Sequence, residues 1–252
     1  HATTADFCTW TTHVPCFYID PQGWDCGHVF APYVIEESGR FWMFYTGASI
    51  DNTQRIGVAV SDDLFAWKRA SVGPVIRPEE YGWAFCPTTR GAACRDPHVV
   101  RVGDEYLMYY TAVTKEGRGC VALAASHDLM AWNDRGPAYT APGLGHCESS
   151  NMQQRDGEYV LFFGGHYEYW SYVTADNPYG WPAQDPKPIQ KGITAMEVIH
   201  KDGSKWLVAY FKKYSMRMFL GILDWTTAEP SIKEIATRRD LEAFRLDAGG
   251  PA

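Results

Sequence analysis

An aromatic motif recurs four times along the chain, and this repetition constrains the fold more than any other feature of the sequence. The two closest copies are GRFWMFYT at 39–46 and DEYLMYYT at 104–111, and weaker copies lie at 157–164 and 203–210. Each copy follows a short apolar run and a charged or glycine-containing turn. Two β-rich runs joined by such a turn predict a β-hairpin. The sequence therefore predicts four hairpins at intervals of 47–65 residues.

A second motif follows the hairpins and marks the passage to an outer strand. The sequences AVSDDLFAW at 59–67 and AASHDLMAW at 124–132 share Ala, Ser, Asp, Leu and Trp at identical offsets, and degenerate copies end near 181 and 225. The first residues, ATTADFCTW at 2–10, fit the same offsets. We therefore expect residues 2–10 to end a further repeat whose first hairpin is not part of this sequence.

These repeats predict an all-β fold, a five-bladed β-propeller architecture with the first blade incomplete at the N-terminus. We expect residues 1–252 to form a single propeller domain, with blade ends near 10, 67, 132, 181 and 225 and a C-terminal tail over 231–252. Apolar spacing in the tail predicts a helix over Ser231–Leu246. The alternative fold is a β-sandwich whose aromatic strands resemble one another by coincidence.

An incomplete blade would leave an unpaired sheet edge, and proteins usually cover such edges because they template unwanted strand pairing. We expect one of three segments to cover it: the C-terminal tail, a partner chain in a homo-oligomer, or residues before His1.

Composition limits the partners and cofactors. The chain has a formal net charge of −7, 21% charged residues and no run of Lys or Arg, so neither nucleic acid nor a membrane surface is an expected partner. No apolar stretch approaches the roughly 20 residues that span a bilayer. The seven cysteines form no C-x-x-C pair, the signature of zinc ribbons and thioredoxins. We expect the cysteines to be mostly reduced and buried, and we expect no cofactor. Both a cytoplasmic location and secretion after N-terminal processing remain open.

Acidic residues lie at the start of the first strand in three of the repeats. Asp96, Glu148 and Glu197 fall within one or two residues of the same aligned position, whereas the preceding repeat has Ala31 there and Asp25 upstream. In a propeller the first strand of each blade lines the central channel, so these carboxyls should converge. Converging carboxyls repel, which raises the pKa of at least one of them. A protonated and an ionised carboxyl are what cleavage of a glycosidic bond requires.

Neighbours of these acids are candidates for binding a sugar. Arg95 could bind hydroxyls or orient a carboxylate, and Trp24 could form the wall of a sugar subsite beside Asp25. The other candidates are His28, His98, Ser149, His166 and Glu197. Each has a structural alternative, because an arginine beside an acid often forms only an ion pair and histidines often only pack.

At these positions the sequence resembles the five-bladed propeller glycosidases. Cys94-Arg-Asp-Pro97 is similar to the Arg-Asp-Pro motif of the invertase- and levanase-like β-fructosidases. Cys147-Glu148 lies where their acid/base glutamate lies, although here Cys precedes Glu instead of following it. His28-Val-Phe-Ala-Pro32 is similar to the Trp-Ala-Pro strand of the related arabinanase and β-xylosidase family. The resemblance implies that Glu148 is the general acid and that Asp96 binds substrate hydroxyls and holds the pKa of the glutamate.

The sequence departs from these families at a position that matters for catalysis. Their nucleophile or base is an aspartate on the innermost strand of the first blade, and this sequence begins after that strand. We expect Asp25, six residues before Ala31, to take this role. The alternative is that Asp25 is an ordinary loop aspartate.

The sequence therefore predicts a glycoside hydrolase whose partner is an oligosaccharide or small glycoside of the β-fructoside or arabinoside/xyloside class. The predicted catalytic residues are Glu148, Asp96 and Asp25. One alternative is a catalytically inactive sugar-binding propeller, which the absence of the first-blade aspartate favours. Another is a metal-dependent enzyme whose ligands are Cys26, Cys94 and Cys147, because thiolate and carboxylate groups are ligands that zinc accepts.

Overall fold

The computed structural model describes residues 1–85, 93–142, 146–166, 168–213, 215 and 217–247. The described residues form short antiparallel strands and end in one helix. The strands are β1 (Ala2–Thr3), β2 (Thr11–Thr12), β3 (His28–Glu37), β4 (Arg40–Ala48), β5 (Gln54–Ser61), β6 (Lys68–Arg69), β7 (Cys94–Val102), β8 (Glu105–Val113), β9 (Gly119–Ser126), β10 (Asn133–Thr140), β11 (Glu148–Arg155), β12 (Glu158–His166), β13 (Tyr169–Ala175), β14 (Lys187–Lys191), β15 (Ile193–Asp202), β16 (Lys205–Lys212), β17 (Met218–Asp224) and β18 (Ser231–Glu234). A 3-10 turn spans Pro78–Glu80, and the helix α1 is Arg238–Asp247.

The long strands form four antiparallel sheets, and each sheet is one propeller blade. Blade I is β3–β6, blade II β7–β10, blade III β11–β14 and blade IV β15–β18. The innermost strands contact one another in sequence, β3 with β7, β7 with β11, and β11 with β15. The prediction of an all-β propeller is confirmed. The structure has four four-stranded blades and not five, because the N-terminal repeat supplies only the two-residue strands β1 and β2.

The blades pack face to face, so the apolar core lies between them. Between blades I and II, Phe44 and Tyr110 are fully buried in one cluster. Between blades III and IV, the rings of Phe162 and Trp206 lie 6.2 Å apart at their centroids. The nearly continuous aromatic and apolar runs of β4 and β8 suit this arrangement, because each blade buries both of its faces. The inner edge of each blade is then left for polar groups.

Each innermost strand carries a β-bulge at the equivalent position. The residue at the bulge has positive φ in all four strands: Ala31 (46°), Asp96 (57°), Ser149 (52°) and Ala195 (50°). The pairing register shifts at each of these positions. A bulge redirects side chains, and positive φ at residues other than glycine stores strain that clusters at functional sites. The bulges therefore mark the part of the channel to examine for a site.

The second sequence motif forms a hydrogen-bonded turn between the third and fourth strands of a blade. In blade II the Ser126 hydroxyl oxygen accepts the backbone N–H groups of Asp128 and Leu129, and the Asp128 carboxylate accepts those of Met130 and Ala131. Leu129 has a φ of 65°. Blade I repeats this turn from Ser61. The serine and aspartate of the motif are thus explained by the donors that they satisfy.

The N-terminal repeat folds into the same turn. Thr4 and Asp6 accept the equivalent backbone N–H groups, and Phe7 has a φ of 57°. The strands pair with the register of the complete blades, since Ala2 faces Thr12 as Ala59 faces Arg69. The sequence match at 2–10 therefore reflects a real structural repeat.

The N-terminal segment also connects blade IV to blade I. Phe7 packs with Leu241 and Phe244 of α1, and Asp6 binds Arg238 at 2.9 Å. At its other end, the rings of His1 and His13 contact Phe65 of blade I. The N-terminal segment and the C-terminal tail thus lie together where blades IV and I would otherwise be unconnected.

Two predicted boundaries differ from the structure. Helix α1 begins only at Arg238, because Ser231–Glu234 form the outermost strand of blade IV and pair with β17. The blades end at Arg69, Thr140, Lys191 and Glu234. The predicted ends came one strand early, since the tryptophan of the second motif closes the turn that precedes the outermost strand. In the described ranges, no helix has the length and apolar character needed to cross a membrane.

Removing the hydroxyl at position 126 tests the role of this turn. Ser126 is 1% exposed and serves three hydrogen bonds. We expect Ser126→Ala to lower the free energy of unfolding by about 1–2 kcal/mol, because two backbone donors lose their acceptor. The measurement is urea denaturation. Ser231→Ala, at an exposed edge position, is the control, and an equal loss in both variants would contradict the assignment.

Candidate active site

Arg95, Asp96 and Glu148 form an ion-paired cluster at the bulges of two neighbouring innermost strands. Nη2 of Arg95 lies 2.5 Å from Oε1 of Glu148, and Nε of Arg95 lies 3.6 Å from Oδ2 of Asp96. The Glu148 side chain is 40% exposed and that of Asp96 only 14%. The structure therefore brings together three of the side chains selected from the sequence, with Glu148 the most accessible of them.

The Asp96 carboxylate is held across the gap between blades II and III. Its Oδ2 accepts the backbone N–H of Ser149 at 3.0 Å, the Ser149 hydroxyl at 3.3 Å and the Thr111 hydroxyl at 3.1 Å. The backbone N–H of Asp96 donates to Oγ1 of Thr46 at 3.1 Å. These contacts fix one oxygen and leave Oδ1 for a ligand. Charge-assisted bonds of this kind give a carboxylate a defined orientation.

Burial raises the pKa of Asp96 above its ordinary value. The neighbouring Glu148 charge acts in the same direction, whereas Arg95 and the hydrogen bonds from Ser149 and Thr111 oppose it. Burial dominates because a carboxylate removed from water loses its solvation. Asp96 therefore binds its proton more tightly than an aspartate in water does.

Glu197 is a third acid in the channel, one blade further on. Nδ2 of Asn151 donates to its Oε2 at 2.7 Å. Glu197 is exposed, yet the surrounding strands desolvate its carboxyl, and this raises the pKa of Glu197 to about 7. The charge of Asp96 adds to the rise, and the bond from Asn151 opposes it. Glu197 therefore keeps its proton to a higher pH than a glutamate in water does.

His98 lies at the equivalent position of blade II but is buried in the wall of the channel. It is 1% exposed, its Nε2 donates to the carbonyl oxygen of Met152 at 3.0 Å, and its ring lies 4.5 Å from that of Tyr33. Burial lowers the pKa of His98 to about 4. A neutral, enclosed imidazole shapes the wall and does not reach a sugar.

Asp25 lies inside blade I in a buried ion pair. Its carboxylate has no exposed surface, and Oδ2 is bound by Nη2 of Arg69 at 2.7 Å and by the Tyr45 hydroxyl at 2.9 Å. The ring of Trp24 packs against Gly47 so closely that a Cβ on this glycine would lie 2.4 Å from it. Because no substrate can contact an enclosed carboxylate, Asp25 does not lie in the candidate site, whereas Trp24 beside it is half-buried.

The remaining residues selected from the sequence are two histidines and three cysteines. His28 begins β3 and is exposed. His166 ends β12, but its side chain lies outside the described residues. Cys94 and Cys147 are buried and Cys26 is half-buried. Within the described ranges no three His, Cys, Asp or Glu side chains are arranged to hold a metal ion, so the structure does not assemble the proposed cysteine site.

The residues that form hydrogen bonds with Asp96 and Glu197 were not predicted from the sequence. Thr46 and Thr111 are the last residues of the two closest copies of the aromatic motif, and both bind Asp96. Their identical place in the repeat was the signal that could have found them. Asn151 lies two residues after the bulge of β11, as Glu197 does after the bulge of β15, so the alignment of the repeats could have found it.

The chain matches the glycosyl hydrolases family 32 N-terminal domain over residues 1–228. This match includes all four blades up to the turn before β18, and with it the bulges that carry Asp96 and Glu148. The chain belongs to glycosyl hydrolase family 32. The family 32 assignment confirms the resemblance that the Arg-Asp-Pro motif and the glutamate indicated.

Individual relatives of this family 32 chain agree with the assignment. It is 30% identical over 187 residues to a sucrose-6-phosphate hydrolase of Vibrio alginolyticus. The aligned region covers 71% of this chain and 35% of the relative. A probable sucrose-6-phosphate hydrolase of Psychromonas ingrahamii is 29% identical over 138 residues, 52% of this chain and 23% of the relative. The chain thus spans about a third or less of the length of these curated relatives.

Solved structures share the fold of the family 32 chain at low identity. A Bombyx mori GH32 β-fructofuranosidase in complex with sucrose has a TM-score of 0.65 at 14% identity, covering 82% of this chain and 50% of that one. An exo-1,5-α-L-arabinanase from a bovine ruminal metagenomic library has a TM-score of 0.63 at 20% identity, covering 88% of this chain and 82% of that one. These likenesses support the propeller fold.

Replacing Arg69 tests the structural role of Asp25. We expect Arg69→Leu to lower the free energy of unfolding by about 3 kcal/mol, because it leaves the buried Asp25 carboxylate without a counter-ion. Chemical denaturation measures the loss. The matched control is Arg40→Leu, since Arg40 pairs with Asp62 on the surface, where such pairs contribute about 0–1 kcal/mol. Equal losses would show that Asp25 is not a buried ion-pair partner.

Proposed function

We propose that this chain forms the propeller of a glycoside hydrolase that cleaves a β-fructoside such as sucrose. The observation that carries the proposal is the cluster of Arg95, Asp96 and Glu148 at the bulges of β7 and β11. Family 32 membership and the relatives named as sucrose-6-phosphate hydrolases favour a fructoside over an arabinoside or xyloside. Two acids in different environments at one site are suited to cleavage of a glycosidic bond.

Glu148 takes the role of general acid. It is the most exposed of the three clustered side chains, and Arg95 holds its Oε1. In this proposal it protonates the glycosidic oxygen as the bond to the anomeric carbon breaks, so that the leaving sugar departs as a neutral alcohol. Arg95 then restrains the carboxyl during the step.

Asp96 binds and orients the sugar. With Oδ2 held by Ser149 and Thr111, Oδ1 is free to accept hydrogen bonds from hydroxyls of the fructosyl ring. Hydrogen bonds to ring hydroxyls that strengthen in the transition state supply several kcal/mol in glycosidases. The fixed position of Asp96 makes these bonds available without reorganisation.

In this proposal the second catalytic carboxylate is not Asp25, because the Asp25 carboxylate has no exposed surface. We propose that the β1–β2 hairpin is the outer part of a fifth blade, because it shares both the turn and the pairing register of the complete blades. The inner strands of such a blade do not occur among the described residues. In this proposal they carry the nucleophile or base, on the opposite side of the channel from Glu148.

Substitution of Glu148 tests the proposed chemistry. We expect Glu148→Gln to lower kcat on sucrose by about 10²–10⁴-fold, the usual contribution of a general acid. On an aryl fructoside, whose leaving group needs no proton, the loss should be much smaller. Steady-state kinetics on both substrates measures the difference, with Glu158→Gln at the exposed start of β12 as the control.

Two outcomes would overturn the proposal. Equal losses on both substrates would show that Glu148 does not protonate the leaving group. Sucrose binding without turnover, unaffected by Glu148→Gln, would instead indicate a sugar-binding propeller without catalytic activity. The enclosure of Asp25 is the observation that favours this alternative.

A further inference from the structure

The four innermost strands place four different side chains at one level of the channel. The residue two positions after each bulge is Tyr33 in β3, His98 in β7, Asn151 in β11 and Glu197 in β15. The rings of Tyr33 and His98 contact each other, and Asn151 binds Glu197. Burial raises the pKa of the Tyr33 phenol, and the nearby carboxyl of Glu197 adds to the rise. These side chains therefore form a layer around the axis, directly beyond the level of Asp96.

A chain of carboxamides fixes the orientation of Glu197 in this layer. Nε2 of Gln153 donates to Oδ1 of Asn151 at 2.7 Å, so the amide of Asn151 must present its Nδ2 to Glu197. That Nδ2 donates to Oε2 of Glu197, which makes Oε2 an acceptor. This arrangement favours a proton on Oε1, because the carbonyl oxygen of a carboxylic acid is a better acceptor than its hydroxyl oxygen. Glu197 is exposed, and among the described residues its one side-chain hydrogen bond is to Oε2, so Oε1 remains accessible to a ligand.

The charges around Glu197 favour its neutral form. Asp96 of β7 lies near enough to repel a negative charge on Glu197. The partner of Arg95 is Glu148, with the shortest contact in the cluster, so this guanidinium is already engaged. The groups from β3 and β11 that face Glu197 are Tyr33 and Asn151, which carry no positive charge.

We propose that Glu197 binds the sugar as a neutral carboxylic acid and donates a hydrogen bond from Oε1 to an oxygen of the bound fructosyl group. This inference rests on the proposed function, because it assigns a role within the same channel. It makes Glu197 the complement of Asp96: one carboxyl accepts hydrogen bonds from sugar hydroxyls, and the other donates one. Because Asp96 accepts hydrogen bonds and Glu197 donates one, the two carboxyls together determine which oxygen of the sugar faces which blade.

The inference predicts that the affinity for sugar falls as the pH rises. The pKa of Glu197 is raised to about 7, so the donor is present below this value and is lost above it. If only the neutral form binds, affinity falls roughly 30-fold between about pH 6 and about pH 8.5. Glu197→Gln keeps a donor at the same place, since its carboxamide can accept from Asn151 and donate toward the axis.

Calorimetric titration with sucrose tests the inference, in a Glu148→Gln background so that turnover does not obscure binding. We expect the parent protein to lose affinity by roughly 30-fold over this pH range. Glu197→Gln should bind equally well at both pH values, near the parent's affinity at the lower pH. Glu197→Met, which has no donor, should bind weakly at both. Thermal denaturation of each variant shows whether it is folded.

Three results would overturn the inference. A parent affinity that does not change with pH, or a Glu197→Gln variant that keeps the full pH dependence, would show that Glu197 is not the donor, while leaving the proposed function intact. Failure of the parent protein to bind sucrose at either pH would overturn the inference together with the proposed function. The first two results are thus distinguishable from the third.

Discussion

The hydrogen bond from the Ser149 backbone to the Asp96 carboxylate is the contact on which the rest of the site depends. It joins the bulge of one innermost strand to the bulge of the next, and so ties the geometry of blade III to that of blade II. The N–H of Ser149 can point at its neighbour because Ser149 lies in the left-handed region of φ. Positive φ in a residue other than glycine is costly, and it persists only where surrounding contacts enforce it. Here the strain orients the Asp96 and Glu148 side chains.

The propeller uses one backbone device to present different chemistry from each blade. The four bulges are nearly identical in φ but carry Ala31, Asp96, Ser149 and Ala195. Only one of the four is an acid, and the next blade supplies the hydroxyl and the N–H that hold it. Alanine at the other two positions leaves room near the axis. A repeated scaffold with variable side chains at one level is how a propeller creates an asymmetric site.

Electrostatics separates the acids in the channel into different roles. Asp96 is stabilised by three hydrogen bonds and by Arg95, which oppose the effect of burial on its pKa. Glu197 has a single amide donor and the repulsion of Asp96, so burial determines its pKa. The two carboxyls differ in their hydrogen-bond donors because Asp96 lies on β7 and Glu197 lies on β15. Neighbouring acids with unlike environments are a general feature of sites that move protons.

Sequence patterns predicted the fold and part of the site, for physical reasons that the structure makes clear. The aromatic motif and the Ser-x-Asp turn are local, so their spacing alone indicated four hairpins and the position of the outer strands. Asp96 and Glu148 were found because each lies near the start of an innermost strand, and Arg95 because it precedes Asp96. The burial of Asp25 could not be predicted, because its partner Arg69 is 44 residues away and belongs to no motif.

The orientation of a bound substrate tests the central claim most directly. A crystal structure of Glu148→Gln soaked with sucrose should show the glycosidic oxygen within about 3 Å of the introduced carboxamide, and ring hydroxyls on Oδ1 of Asp96. Sucrose bound away from the axis, with neither contact formed, would contradict the account.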